Sequence, residues 1–134
     1  MLTITIDRDL DTPVYSQVAH QVRRHIASGA LLPGTTLPSV RRLASDLGVN
    51  LNTVARAYRL LEDEGFLDIR GRSGVKVAPP AGKVRDGAHG ELLEELRITL
   101  ARFRQAGVSK EALLDVVSQE IRGLTDPGTE DSDE

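Results

Sequence analysis

Residues 37–65, LPSVRRLASDLGVNLNTVARAYRLLEDEG, place two short amphipathic segments on either side of a single glycine. Val40, Leu43, Ala44 and Leu47 recur at helical spacing behind Ser39, a residue suited to cap the free N–H groups of a helix start. Gly48 follows at once and supplies the positive φ that a sharp helix exit needs. Asn50 suits the cap of the next helix, which extends to about Glu64 and stops at Gly65. The spacing therefore predicts a helix, a tight turn and a second helix. This is the pattern of a helix-turn-helix, and it directs the question of function toward nucleic acid.

The second helix has two unlike faces. At about 100° per residue, Asn52, Arg56 and Arg59 share a sector of roughly 60°, with Val54, Tyr58 and Leu61 opposite. Arginine forks to guanine and asparagine pairs with adenine, while Thr53 suits a phosphate or a thymine methyl. The plainer alternative is a solvated face with incidental arginines; the preceding helix and turn favour DNA. Ser39 and Arg41 lie at the start of the first of these helices, where it would cross a DNA backbone. Adjacent side chains on a helix diverge by about 100°. Arg41 is therefore assigned to the DNA side and Arg42 to a surface ion pair.

Upstream, Leu2, Ile4 and Ile6 alternate with Thr3 and Thr5, which predicts a short strand. A helix over Pro13–Ser28 aligns Tyr15, Val18, Val22 and Ile26 in one stripe. LLPGTTLP reads as a turn. Downstream, Phe66–Ile69 and Val75–Val77 flank a basic tip formed by Arg70, Gly71, Arg72, Ser73 and Gly74, the signature of a β-hairpin. Its glycines allow close approach to a phosphate or a minor groove, so Arg70, Gly71 and Arg72 join the candidate DNA contacts. The bland alternative is a solubilising turn.

The expected organisation is a DNA-binding domain at 1–80, a linker at 81–90, a helical hairpin at 91–125 and an acidic, disordered tail at 126–134. The fold class is α+β and mostly helical. Net charge is −3, but residues 1–80 balance to +2 and residues 81–134 to −5, so the acidity lies away from the helix-turn-helix. No apolar run approaches the roughly 20 residues needed to cross a bilayer, and no leader pattern opens the chain, so a cytoplasmic protein is expected. With no cysteine, disulfides and thiolate chemistry are excluded. His20 and His25 are five apart, outside the spacing of a helical metal pair, and His89 falls in the linker. Neither an enzyme nor a metal or other cofactor is expected.

These residues resemble the GntR family of bacterial winged-helix transcription regulators over positions 13–78. The most specific strings are G-x-L-x-P-G-x-x-L-P-S-x-R-x-L-A from Gly29 and G-V-N-x-N-T-V-x-R-A-Y from Gly48. The resemblance implies DNA contact by Arg41, Asn50, Asn52, Thr53, Arg56 and Gly71, with Arg72 beside the wing tip. Many relatives place arginine where this chain has Leu51 and Ala55, and the wing ends differently, with Ser73-Gly74-Val75-Lys76-Val77. The short C-terminal part resembles the YtrA-type subfamily. That implies a homodimer joined through the C-terminal helices, and often repression of a transporter operon that includes the regulator's own gene.

The dimer has an independent physical argument. A helical hairpin of about 35 residues buries little apolar surface alone. Leu92, Leu96, Leu100, Phe103, Leu113, Val117 and Ile121 therefore need a partner surface. The alternative is packing on the first helix of the same chain. The rival to DNA binding is a winged helix used only for protein–protein contact, and an effector, if one exists, is not identified by any residue.

Overall fold

The computed structural model describes residues 2–70, 74–80 and 88–126. The described residues divide into two compact units, one running to Pro80 and rejoined by Thr125 and Asp126, the other running from Ala88 to Leu124.

The first unit contains α1 (Val14–Ala27), β1 (Thr36–Leu37), α2 (Val40–Leu47), α3 (Leu51–Asp63), β2 (Leu67–Arg70) and β3 (Gly74–Val77). Val54, Ala57, Tyr58 and Leu61 line the inner face of α3, and α1, α2 and β2 pack around it. Val18, Val22, Leu43, Ala44, Val75 and Val77 complete the core. The apolar stripes expected of α1, α2 and α3 all face it, with Tyr15, Ile26, Val40 and Leu47 half-buried at its rim.

The boundaries of α2 and the start of α3 have local causes. The Ser39 Oγ accepts from the Arg42 N–H at 3.0 Å, and the Asn50 Oδ1 accepts from the Asn52 N–H at 2.7 Å. Gly48 sits at φ 68°, so the N–H groups of Gly48 and Val49 turn back to the carbonyls of Ser45 and Ala44. That arrangement ends α2 and gives partners to two of its last carbonyls.

Two expectations are corrected. Residues 2–7 form no strand. Leu2, Ile4 and Ile6 do pack against the core, but the backbone pairs with side chains of α1 instead of with a neighbouring strand. The LLPGTTLP turn also contains a strand: β1 pairs antiparallel with β3, Thr36 opposite Lys76 and Leu37 opposite Val75. The hairpin is thus the larger part of a three-stranded sheet in the order β1-β3-β2, with Leu67 opposite Val77 and Arg70 opposite Gly74.

Thr125 belongs with this first unit. Its N–H and Oγ1 both donate to the Ala27 carbonyl, at 3.0 and 3.1 Å. Gly29, at φ 85°, leaves room for it, since a Cβ there would lie 2.8 Å from the Thr125 Cγ2.

The second unit consists of α4 (Ala88–Gln105) and α5 (Lys110–Arg122). His89, expected in a linker, is thus in the first turn of α4; residues 81–87 lie outside the described residues. Gly107 closes α4, with the Val108 N–H bonded to the Phe103 carbonyl at 3.1 Å. The Ser109 Oγ caps α5 by accepting from the Ala112 N–H at 3.1 Å. The acidic residues 127–134 lie outside the described residues.

Candidate nucleic-acid interface

The outer face of α3 is held in place from behind. The Tyr58 side chain is fully buried, and its hydroxyl donates to the Pro38 carbonyl at 2.7 Å. This bond ties the middle of α3 to the entry of α2. Burial pushes the Tyr58 phenol above its ordinary pKa, so the group stays a neutral donor. The Arg8 Nη2 donates to the Gly48 carbonyl at 3.1 Å, which anchors the turn between the helices. At the far end of α3, the Arg23 guanidinium meets the Glu64 carboxylate at 2.9 Å and lies 5.7 Å from the centre of the Phe66 ring.

With α3 so fixed, Asn52, Arg56 and Arg59 are exposed on its outer side and Thr53 is half-exposed. Asn50 adjoins them, although its side chain also caps the helix. Arg42 forms the expected ion pair, with Asp46 one turn on, at 3.4 Å. Arg41 is exposed and, among the described residues, has no acidic partner. Ser39 is exposed and serves as the α2 cap. Arg70 ends β2, while Gly71 and Arg72 lie outside the described residues.

Two side chains that support this face were not marked by the sequence. Tyr15, assigned to the core stripe of α1, lies under Arg56, whose guanidinium carbon is 3.8 Å from the ring centre. Pro13, Val14, Tyr15, Asn50, Asn52, Thr53 and Arg56 line one shallow hollow, so the first turn of α1 borders the outer face of α3. Arg8 is the other. Its partner is forty residues away, and no local pattern marks it.

In the second unit, the residues expected to pair two copies divide into two groups. Leu113 is buried, and Leu100 and Val117 are half-buried, within one copy. Leu92, Leu96, Phe103 and Ile121 are exposed, and so are Ile98, Leu114, Val116 and Leu124.

A family model described as "Bacterial regulatory proteins, gntR family" matches residues 14–77, which span α1 to β3. The HTH-type transcriptional repressor YtrA of Bacillus subtilis is 33% identical over 124 residues, covering 90% of this chain and 95% of that protein. The chain belongs to the GntR family. Among solved structures, YtrA from Sulfolobus acidocaldarius, a GntR-family transcription factor, is 40% identical with a TM-score of 0.62, covering 74% of this chain and 94% of that one. The AraR DNA-binding domain, solved in complex with an operator, is 28% identical with a TM-score of 0.51, covering 57% of this chain and 96% of that one. Some relatives are longer. The chain spans 62% of the length of an HTH-type transcriptional regulator of Mycobacterium tuberculosis, to which it is 45% identical over 75 residues. The GntR relatives are named as regulators, not enzymes, and the fold is the family's winged helix. No helix among the described residues is long and apolar enough to cross a membrane.

Proposed function

We propose that this GntR protein is a sequence-specific DNA-binding repressor that acts as a homodimer on a near-palindromic operator. The carrying observation is the outer face of α3. It presents Asn52, Arg56 and Arg59 to solvent, while Tyr58 and Asn50 hold the helix by bonds on its inner side and at its start. Their amides and guanidinia suit base edges in a major groove. Arg41, at the start of α2, supplies backbone charge, and the hairpin tip with Arg70, Gly71 and Arg72 supplies the wing contact. The repressor reading draws support from the name of the Bacillus subtilis relative, matched along 95% of its length.

The dimer reading rests on the second unit. Leu92, Leu96 and Phe103 are exposed and fall within roughly 40° around α4. Such a stripe favours a self-complementary contact between two copies. Two-fold pairing would present two α3 helices to half-sites about one helical turn apart.

Gel-shift titration on the gene's own upstream DNA, across a salt series, tests the reading. Specific binding is expected to weaken steeply with salt, with a slope near 0.9 per phosphate contacted. Equal affinity for random duplex with no salt slope would sink it and leave the protein-contact reading. Sedimentation of Leu96→Asp should give monomers where the wild type gives dimers; an unchanged dimer would remove α4 from the interface.

A further inference from the structure

Arg56 and Tyr15 come from helices separated by α2, yet the guanidinium lies 3.8 Å above the ring centre. That distance is face-to-face contact. A stacked guanidinium uses its flat faces and leaves its five N–H donors free in the plane around it. The fork that reads guanine O6 and N7 is made by those in-plane donors. Stacking on Tyr15 and pairing with a base edge therefore do not compete. Among the described residues no carboxylate occupies the Arg56 donors, and the side chain is exposed.

The ring has a second consequence. A free arginine on a helix surface samples many rotamers, and binding must freeze them. Tyr15 is half-buried at the start of α1, with Val18 and Val22 of the same helix in the core, so its ring is a fixed platform. No hydrogen bond joins the Tyr15 hydroxyl to another described residue, which leaves the ring face as its contribution.

We propose that Tyr15 is a positioning residue for DNA reading: its ring holds the Arg56 guanidinium where it forks to a base edge, so part of the specificity of α3 is set from α1. The proposal rests on the reading of the α3 face as the DNA-contacting surface.

The test uses the full chain and a randomised duplex library, from which the wild type selects a motif; affinities are then measured on every single-base-pair variant. Arg56→Ala should relax one base pair in each half-site. Tyr15→Leu should relax the same pair by about two- to fivefold, the range of an exposed cation–π contact. It should have no further effect in the Arg56→Ala background, and Tyr15→Phe should behave as wild type. A Tyr15→Leu variant that weakens all sequences alike, or relaxes a different pair, overturns the positioning role while leaving the α3 reading intact. If Arg56→Ala relaxes no pair, the α3 reading fails at this residue and the positioning role with it. A measurement on the unmutated protein guards against misfolding of Tyr15→Leu. The Arg56 side-chain protons should show an upfield ring-current shift by NMR, retained in Tyr15→Phe, and its absence overturns the stacking.

Discussion

The side-chain amide of Gln21 makes both backbone hydrogen bonds of Thr5: its Oε1 accepts from the Thr5 N–H at 3.0 Å, and its Nε2 donates to the Thr5 carbonyl at 2.7 Å. Gln17 likewise bonds the N–H and the carbonyl of Asp7, at 2.9 Å in each direction, and the His25 Nε2 lies 3.1 Å from the Thr3 carbonyl. Helix positions 17, 21 and 25 thus meet chain positions 7, 5 and 3. The match is geometric. Four residues of helix rise about 6 Å, and two residues of extended chain rise about 6.6 Å. One face of α1 stands in for a neighbouring strand, giving partners to the backbone of Thr5 and Asp7 and to the Thr3 carbonyl while Leu2, Ile4 and Ile6 pack on the core.

Gln21→Ala should release this segment. It removes both bonds to Thr5 at an exposed site, so a loss of about 1–2 kcal/mol is expected in urea unfolding. Hydrogen exchange at the Thr5 amide should accelerate far more than exchange in the buried part of α3. Uniform acceleration across the first unit would show that the segment and the core open together, against the local role.

Tyr58→Phe tests the bond that fixes α3 to the entry of α2. The Pro38 carbonyl loses the donor it holds at 2.7 Å, and about 1–2 kcal/mol of stability should go with it. The pH dependence has a definite sign. The folded protein keeps the buried phenol protonated, whereas the unfolded chain ionises near pH 10.0. The Tyr58 contribution is therefore complete below that value and declines as pH rises through it. Urea titrations at about pH 8 and about pH 11 should show the gap between wild type and Tyr58→Phe narrowing at the higher pH. A constant gap would mean that the phenol ionises alike in both states.

Much of this was legible in the sequence, for identifiable reasons. Val54, Tyr58 and Leu61 announce the inner face of α3 because burial on a helix leaves a periodic trace. Ser39, Gly48 and Asn50 mark ends because capping is local chemistry. The alternation of Leu2, Ile4 and Ile6 correctly reported a buried face. Alternation says nothing about the hydrogen-bonding partner, however, which proved to be a helix. β1 was hidden because two residues carry no period, and its partner Val75 is 38 positions away. Tyr15 was read as core because a helical stripe cannot distinguish a ring that packs inward from one that also supports an arginine.

Arg41 and Arg42 should separate in DNA binding although they are neighbours. Arg41 is free of acidic partners among the described residues, so Arg41→Ala should lower affinity for all sequences and reduce the salt slope by about 1. Arg42 is engaged with Asp46 at 3.4 Å, both side chains being well exposed. Its replacement by alanine should change stability by less than about 1 kcal/mol and affect DNA affinity less than Arg41→Ala does. Filter-binding at three salt concentrations decides the matter. A larger slope change for Arg42→Ala would reverse which side of α2 faces the phosphates.

Asn50 has one role inside the fold and one proposed outside it, and two substitutions tell them apart. Its Oδ1 holds the Asn52 N–H at 2.7 Å, so Asn50→Ala should cost about 1 kcal/mol as a lost cap, whatever happens to DNA binding. Asn50→Asp keeps an acceptor in the same place and puts a negative charge at the helix start, which the helix dipole favours. Its thermal midpoint should therefore equal or exceed the wild type's. The same carboxylate would face phosphates if the α3 surface docks on DNA, and affinity should fall about tenfold or more through like-charge repulsion. A stable Asn50→Asp protein that binds its operator as tightly as wild type would confine Asn50 to capping. It would also move the DNA contact away from the start of α3, toward Arg56 and Arg59.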